Sequence, residues 1–198
     1  MFHGVILDAN LTWDLHISNV ARKLAKYAPL IRKLRNLLTH KALLLIYNCL
    51  VYSNMIYLNS VWGYCSQSAS NPLIITQKKI VRAIAGARRN SHTQALYSHY
   101  RLLNFKSINK YMVAIFVYKC LESADFNNWF IHRQSGYITR DLVQQSLFVP
   151  QIRNVHTEQC IDYRGPIIWN SVPFTMYEEP YNTFKFMYKS FLLMQQNV

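Results

Sequence analysis

A long stretch without any charged side chain most limits what this chain can fold into. No Asp, Glu, Lys or Arg occurs from Ala42 to Gln77, and residues 42–58 are largely apolar. A membrane span needs roughly 18 or more consecutive apolar residues. Asn48, Ser53 and Asn54 interrupt this stretch with side chains that are costly in hydrocarbon. The pattern therefore favours a buried core helix, followed by an aromatic-rich loop, over a membrane-spanning helix.

Amphipathic periodicity predicts helical structure before this stretch. Apolar residues recur there on one side of a 3.6-residue wheel, and basic residues lie on the other side. The apolar stripe consists of Val20, Leu24, Tyr27, Ile31, Leu34 and Leu38. Pro29 lacks a backbone N–H in the middle of this pattern. It predicts a kink or a break into two helices, with Pro29 in the first turn of the second.

Capping signals divide the following residues into further helices. Thr39 is the predicted N-cap of a helix over about 40–55. Asn71–Pro72 is predicted to open a third helix, which Gly86 ends. Ser107 is the predicted cap of a fourth helix with a long apolar side.

The ends of the chain differ from this helical region. Residues 2–7 are predicted to form a short strand. After Glu122 aromatic residues occur without a period, until a final helix is predicted over about 182–194. The predicted fold is mainly α: a short N-terminal β-strand or hairpin remnant, a basic helical bundle, and a mixed irregular and helical C-terminal segment. The predicted domains are 1–124 and 125–198.

The charge is concentrated in the helical region. The chain has 22 Lys and Arg against 9 Asp and Glu, a net charge of +13. No acidic residue occurs between Asp14 and Glu122, whereas the last third of the chain is nearly neutral. Such asymmetry indicates a polyanionic partner, and nucleic acid is a more common one than a membrane surface. The alternative is a basic surface that serves solubility alone.

The sequence contains no recognisable catalytic or metal-binding motif. It has no Gly-rich phosphate loop, no nucleophile elbow and no zinc-ligand spacing. Glu178 and Glu179 are adjacent carboxylates before Pro180 and are interpreted as solvated charges. The four cysteines lie far apart and are interpreted as buried, reduced thiols of an intracellular protein, nuclear or cytoplasmic. We therefore predict no catalytic residue, metal or cofactor in this chain.

Basic residues on the solvent sides of the predicted helices form the candidate binding surface. Their ammonium and guanidinium groups suit phosphate contacts, which position a duplex without reading its sequence. The predicted nucleic-acid-binding residues are Arg22, Lys26, Lys33, Lys78, Lys79, Arg82, Arg88 and Arg89. Several aromatic residues could also stack on bases, although core filling is the more common role for each. These aromatic residues are Tyr47, Tyr52, Tyr57, Trp62 and Tyr64.

Short motifs occur in a fixed order along nearly the whole chain. They are Gly4-Val5 with Asp8, Leu11-Thr12-Trp13 and His16-Ile17; Leu30 to Arg35; Leu45-Ile46-Tyr47 with Leu50-Val51-Tyr52; Tyr57 with Val61-Trp62-Gly63; Gln77-Lys78-Lys79 with Val81-Arg82 and Ile84; His92-Thr93 with Leu96-Tyr97; Tyr137 with Thr139-Arg140; Gly165-Pro166 with Ile168 to Ser171 and Pro173; and Phe184-Lys185 through Leu193. This series resembles the C-terminal part of reverse transcriptases from LINE-type (non-LTR) retrotransposons, the jockey-like branch in particular. Ser53 stands where many members of that family have Pro.

The resemblance implies a role in holding nucleic acid rather than in chemistry. It places Gly4 and Val5 in the strand that grips the primer end, and the following helices in the thumb that tracks the template-primer duplex, an RNA–DNA hybrid. The later segment would be a connector after the polymerase domain. The fingers and the palm, with the catalytic aspartates and magnesium, would precede Met1 and would be a packing partner. The chain would then be a fragment of an RNA-directed DNA polymerase, inactive alone.

Two other function classes are compatible with the sequence. A basic helical module could bind a protein partner or an anionic membrane surface and have no nucleic-acid role. A complete small enzyme is the third possibility, but no nucleophile and base pair can be assembled from the motifs.

Overall fold

A computed structural model describes residues 4–126, 128–132, 146–151 and 157–196. The described chain is mainly α-helical, as predicted, and it divides into two compact units. The first unit comprises residues 1–58, 65–108 and 193–198, and the second comprises 59–64 and 109–192. These ranges differ from the predicted division at residue 124, because the chain passes from one unit to the other within a continuous helix.

The first unit contains most of the helices in the basic region. Its helices are α1 (Asp14–Ala25), α2 (Tyr27–Leu34), α3 (His40–Ile46), a π-helical segment (Tyr47–Tyr52), α4 (Ser53–Ile56), α6 (Gln67–Ala85) and α7 (Gln94–His99). Helix α5 (Asn59–Trp62) belongs to the second unit. Helix α6 is the centre of the first unit, because α1, α2, α3 and α7 all pack against it.

The predicted break at Pro29 is confirmed. Helix α1 ends at Ala25, and α2 starts at Tyr27, so Pro29 lies in the first turn of α2, where a missing N–H costs no helical hydrogen bond. Leu24 and Ile31 are fully buried on the predicted apolar stripe. The periodic spacing of apolar residues in the sequence therefore identified which side of α1 and of α2 packs into the core.

The first part of the uncharged stretch forms the predicted helix, but only one side of it is buried: Leu43, Tyr47, Val51 and Met55 are in the core, whereas Leu45, Asn48 and Cys49 are exposed. Thr39 caps α3, because its Oγ1 accepts the backbone N–H of Ala42 at 3.3 Å. The helical path then continues through the π-helical segment into α4. Within the described residues, no helix is both long enough and apolar enough to cross a membrane.

The strand predicted over residues 2–7 is not seen in the part of the chain that the structure describes there. Residues 4–13 contain no strand longer than a single bridge position at Val5. Gly4 has a φ of +80°, which an extended strand excludes. After the predicted strand, the Asp8 carboxylate accepts three backbone N–H groups at 2.9–3.1 Å and holds residues 8–13 in a loop, in which Leu11 and Trp13 have left-handed backbone angles.

Two predicted helix starts are wrong. Helix α6 begins at Gln67 rather than near Pro72, because the Oγ of Ser66 accepts the N–H of Ala69 and supplies an earlier cap. In the same way, Asn104 rather than Ser107 caps α8 (Phe105–Glu122), since Asn104 Oδ1 accepts the Ser107 N–H at 2.9 Å. The predicted end at Gly86 is confirmed by its left-handed φ of +67°.

The second unit is built from four helices and a set of packed aromatic rings. It contains α5, α8 from residue 109 onward, α9 (Ile161–Asn170) and α10 (Tyr181–Gln195) up to residue 192. Two 3₁₀ turns, Thr157–Gln159 and Phe174–Met176, flank α9. The final helix is close to the predicted range, and Phe184 and Tyr188 on it are buried.

Irregular segments of the second unit are fixed by side-chain hydrogen bonds. An isolated antiparallel bridge joins His132 and Leu147. The Asn170 amide group then accepts the Leu147 N–H at 2.8 Å and donates to its carbonyl at 2.9 Å. Asn170 thus satisfies the backbone of Leu147 as a neighbouring strand would.

Candidate nucleic-acid interface

The eight basic residues predicted to bind nucleic acid all lie in the first unit. Arg22 lies in the last turn of α1, Lys26 is the residue between α1 and α2, and Lys33 lies on α2. The remaining five lie on the second half of α6 or just after it: Lys78, Lys79, Arg82, Arg88 and Arg89. Seven of the eight are exposed and Arg82 is half-buried, so the prediction placed these residues correctly on solvent-facing sides.

A hydrogen bond groups the basic residues at the end of α6. Arg82 Nε donates to the carbonyl of Ser91 at 2.9 Å, and the Ser91 N–H donates back to the carbonyl of Arg88. The turn that carries Arg88 and Arg89 is therefore tied to the last turn of α6. The Arg82 guanidinium thus holds the loop, whereas Arg88 and Arg89 are exposed to solvent.

Arg35 joins this group and was not identified from the sequence. Its guanidinium lies against Gly86, in the space that a side chain at that position would fill. The sequence feature that could have indicated this contact is Gly86, because a glycine at a helix end leaves room for another chain segment to approach. Arg35 belongs to the turn after α2, so it connects the α2 surface to the end of α6.

Helix packing brings the basic helices together. Helices α1 and α2 pack against each other and against α6 through buried side chains such as Ile17, Ile31 and Ile80. Arg22, Lys26 and Lys33 are exposed and take no part in this buried core. The packed helices therefore leave these cations available to a ligand.

A polar groove of about 480 Å³ lies beside the start of the described chain. Its lining residues include Gly4, His16, Asn19, Lys23, Asn54 and Tyr57. The Ile6 N–H donates to His16 Nδ1 at 3.4 Å, and burial lowers the pKa of His16, so the imidazole is neutral at pH 7. Lys23 is therefore the only charged side chain that lines this groove among the described residues.

The two primer-grip-like residues occupy different environments. Gly4 is exposed and lines the groove, where a Cβ placed on it would lie 3.8 Å from Tyr57 Cε1. Val5 is buried in the core. Only Gly4 is therefore accessible to a ligand.

The candidate stacking residues are mostly core residues. Tyr47 and Trp62 are buried, and Tyr52 and Tyr64 are half-buried. Tyr47 accepts a hydrogen bond from Gln77 Nε2 at 2.9 Å, and burial raises its pKa to about 12. Tyr57 alone of the five is exposed, at 51%. Core filling, the more common role, thus accounts for Tyr47 and Trp62.

None of the four cysteines, all within the described residues, is in a disulfide, and only one is buried as predicted. Cys120 is buried, Cys65 is half-buried, and Cys49 and Cys160 are exposed. Burial raises the pKa of Cys65 to about 11 and also raises that of Cys120. In the described ranges, no group of three or more His, Cys, Asp and Glu side chains could hold a metal ion.

Comparisons with protein-family models, curated proteins and solved structures find no match to this chain. The functional interpretation therefore rests on its own residues and on the motif resemblance. Tyr137, Thr139 and Arg140, which contribute one of those motifs, lie outside the described residues.

The two units differ strongly in net charge. The first unit has fourteen basic and two acidic residues, and the second has eight and seven. Exposed cations that have no local anions attract a polyanion and gain entropy from counterion release when it binds. The arrangement can hold phosphate groups.

Proposed function

We propose that the first unit binds a nucleic-acid duplex without sequence specificity, as the thumb of a retrotransposon reverse transcriptase would bind an RNA–DNA hybrid. The observation that carries this proposal is the exposure of seven of the eight basic residues on a unit with only two acidic ones. The motif order that resembles the non-LTR family supports the same assignment. Polymerisation, and the magnesium it requires, would belong to a palm region that is a partner of this unit.

The proposed contacts are to phosphates and not to base edges. Lys78 and Lys79 are adjacent on α6, so they point in directions about 100° apart and reach different phosphates. Helices of this kind lie along a backbone rather than enter a groove. Five phosphate contacts would give a slope of about −4 to −5 in a plot of log affinity against log salt.

The decisive experiment reverses the two exposed lysines of α6. Arg82 is left intact because its guanidinium holds the loop at Ser91. We expect the K78E/K79E variant to bind an RNA–DNA hybrid more weakly at every sequence, with a salt slope reduced by about 2. Fluorescence anisotropy at several salt concentrations measures both quantities.

The matched control is the K106E/K110E variant. Both lysines are exposed on α8, and the change in net charge is identical. If both variants lose affinity equally, the binding is a general effect of net charge and the proposed surface is wrong. If neither variant changes the affinity, the first unit does not bind the hybrid.

A second function is favoured by exposed leucines beside the basic residues. Leu37 is 80% exposed and Leu45 is 64% exposed, near Arg35 and Lys41 in the sequence. Apolar side chains combined with cations are typical of segments that bind an anionic membrane surface. Flotation with liposomes of anionic lipid, together with the hybrid titration, separates the two functions: flotation without salt-sensitive hybrid binding would replace our proposal with this one.

A further inference from the structure

The second unit contains an open pocket of about 500 Å³ that combines aromatic rings with carboxylates. Tyr118, Trp169 and Tyr177 supply the rings, Glu122 and Glu178 supply the carboxylates, and His132 completes the lining. No proposed nucleic-acid contact involves this pocket, because all eight basic residues of the candidate surface belong to the first unit. Its acidic and aromatic character is also the opposite of what a phosphate ligand requires.

The aromatic lining of the pocket is held in place by stacking and hydrogen bonds. The rings of Trp169 and Tyr177 stack with centroids 5.0 Å apart, and Tyr177 Oη donates to the Trp169 carbonyl at 3.0 Å. Phe184 packs behind both Trp169 and Tyr118, with centroids 5.8 Å and 4.7 Å away. The lining therefore exists before a ligand binds, so binding needs little ordering of side chains.

Tyr118 also orients one of the two carboxylates. Its hydroxyl lies 2.8 Å from Glu122 Oε1 and 2.8 Å from the carbonyl of Glu179. Burial, the hydrogen bond to Glu122 and the charge of Glu122 raise the pKa of Tyr118 to about 12, so the phenol remains a donor at pH 7. Glu122 thus keeps one oxygen on Tyr118 and has further acceptor sites for a ligand.

The negative charge of the pocket is not neutralised within the described residues. There, neither Glu122 nor Glu178 forms an ion pair with Lys or Arg, although the chain has 22 such residues. The nearby ammonium groups of Lys119 and Lys185 lie over the Tyr181 ring instead, 5.2 Å and 5.1 Å from its centroid. Two carboxylates beside aromatic rings attract a cation.

We propose that this pocket binds a guanidinium or ammonium group at the end of an aliphatic stem. The carboxylates of Glu122 and Glu178 would accept its N–H groups, and the stem would lie against the aromatic lining and Leu121. Both the side chain of a basic residue and a free organic cation have this chemistry. The inference is independent of the proposed nucleic-acid binding, because it concerns a different unit and a ligand of opposite charge.

The test uses butylguanidinium and its uncharged isostere butylurea, titrated calorimetrically into the full chain at low salt. We expect butylguanidinium to bind at millimolar or lower concentration and butylurea not to bind. The E122Q/E178Q variant keeps the side-chain shapes and removes both charges, so its affinity should fall about tenfold or more. Equal binding of the two compounds, or no binding of either, would overturn the proposal.

The D125N variant is the matched control. Asp125 is an exposed carboxylate of the same unit outside the pocket lining, so its removal should change the affinity less than twofold. Helical circular dichroism confirms that each variant is folded. If D125N and E122Q/E178Q weaken binding equally, the effect is one of net charge and the pocket is not the site.

Two peptides then identify the source of the cation. A short capped peptide with a central arginine is compared with the same peptide carrying citrulline, which has the same shape and no charge. Tighter binding of the arginine peptide than of butylguanidinium would identify a protein side chain as the ligand. Equal affinity would show that the pocket recognises a free cation and nothing beyond it. Binding of the citrulline peptide as tight as that of the arginine peptide would contradict the proposal.

Discussion

The two units of this protein bury different kinds of side chain. The first unit packs aliphatic residues such as Ile17, Leu24, Leu73 and Ile80 between amphipathic helices. The second unit packs rings against rings, and Phe184 has aromatic neighbours on several sides. Aliphatic stripes leave the opposite helix face free for charge, whereas the large rings of Tyr118, Trp169 and Tyr177 line an open pocket. The basic surface and the acidic pocket follow from these two modes of packing.

Removing the central ring of the second unit should have the largest effect. We expect F184A to destabilise the second unit by about 3–5 kcal/mol, because the cavity loses contacts with three aromatic rings. Cys120 lies in this unit and Cys65 in the first, so their alkylation rates in urea report the two units separately. The measurement uses a C49S/C160S background, which removes the exposed thiols.

The matching change in the first unit is I80V, which should cost about 1 kcal/mol. It should accelerate the labelling of Cys65, whereas F184A should accelerate that of Cys120. If either substitution exposes both thiols at the same urea concentration, the units unfold as one and the comparison between them fails.

The end of α6 gives a second, smaller test. We expect G86A to destabilise the first unit by about 1–2 kcal/mol, because alanine at positive φ is strained and its Cβ would displace Arg35. In an R35A background the contact is absent and only the backbone strain remains, so the cost should be smaller. Urea unfolding of the wild type, G86A, R35A and the double variant gives the coupling energy between positions 86 and 35. A coupling energy of zero would contradict the placement of Arg35 against Gly86.

The cap of α3 should contribute about 1 kcal/mol. We expect T39A to lose the hydrogen bond to the Ala42 N–H and T39S to keep it. Thermal unfolding should therefore rank the wild type and T39S together, above T39A. A T39S variant as unstable as T39A would show that the methyl group, and not the cap, is responsible.

The smallest expected effect concerns acid stability of the first unit. Backbone hydrogen bonds, first that of Thr12, lower the pKa of Asp8 from its ordinary 3.8. The ionised carboxylate thus stabilises the folded state above about pH 4, and this stabilisation is lost as the pH falls through the lower folded-state pKa. We expect the difference in melting temperature between the wild type and D8N to shrink from pH 5 to pH 2.

The D14N variant is the control, since Asp14 is the only other acidic residue of the first unit. A loss of stability at pH 5 that is the same in D14N as in D8N would show that net charge, and not the Asp8 loop, is responsible. A D8N difference that is constant with pH would show that the carboxylate charge does not stabilise the loop.

Local signals in the sequence predicted the first unit well. The break at Pro29, the Thr39 cap and the Gly86 end each depend on residues within one turn, and all are confirmed. The start of α6 was wrong because two signals compete there: Pro72 is tolerated inside the helix once Ser66 caps it. Local sequence signals identified residues that can start a helix, but they could not show which of two such residues does so.

Non-local contacts could not be predicted in the same way. Gln196 bonds to the backbone of Leu102 and Asn104, more than ninety residues earlier in the chain. Glu178 is exposed, as its interpretation as a solvated charge required, yet it lines a pocket with Tyr118 from another helix. No period in the sequence marks such pairs, because they depend on how separate segments meet.

The π-helical segment determines how the uncharged helix tolerates changes in length. Leu43, Tyr47, Val51 and Met55 are all buried at intervals of four residues, a spacing that drifts around a regular α-helix but stays aligned when the turns are wider. Because the wider turn takes up about one extra residue, deleting one residue between Tyr47 and Tyr52 would restore regular turns and leave Met55 facing the core. A deletion in the regular turns of α3 would instead rotate all the following residues by about 100° and expose Met55.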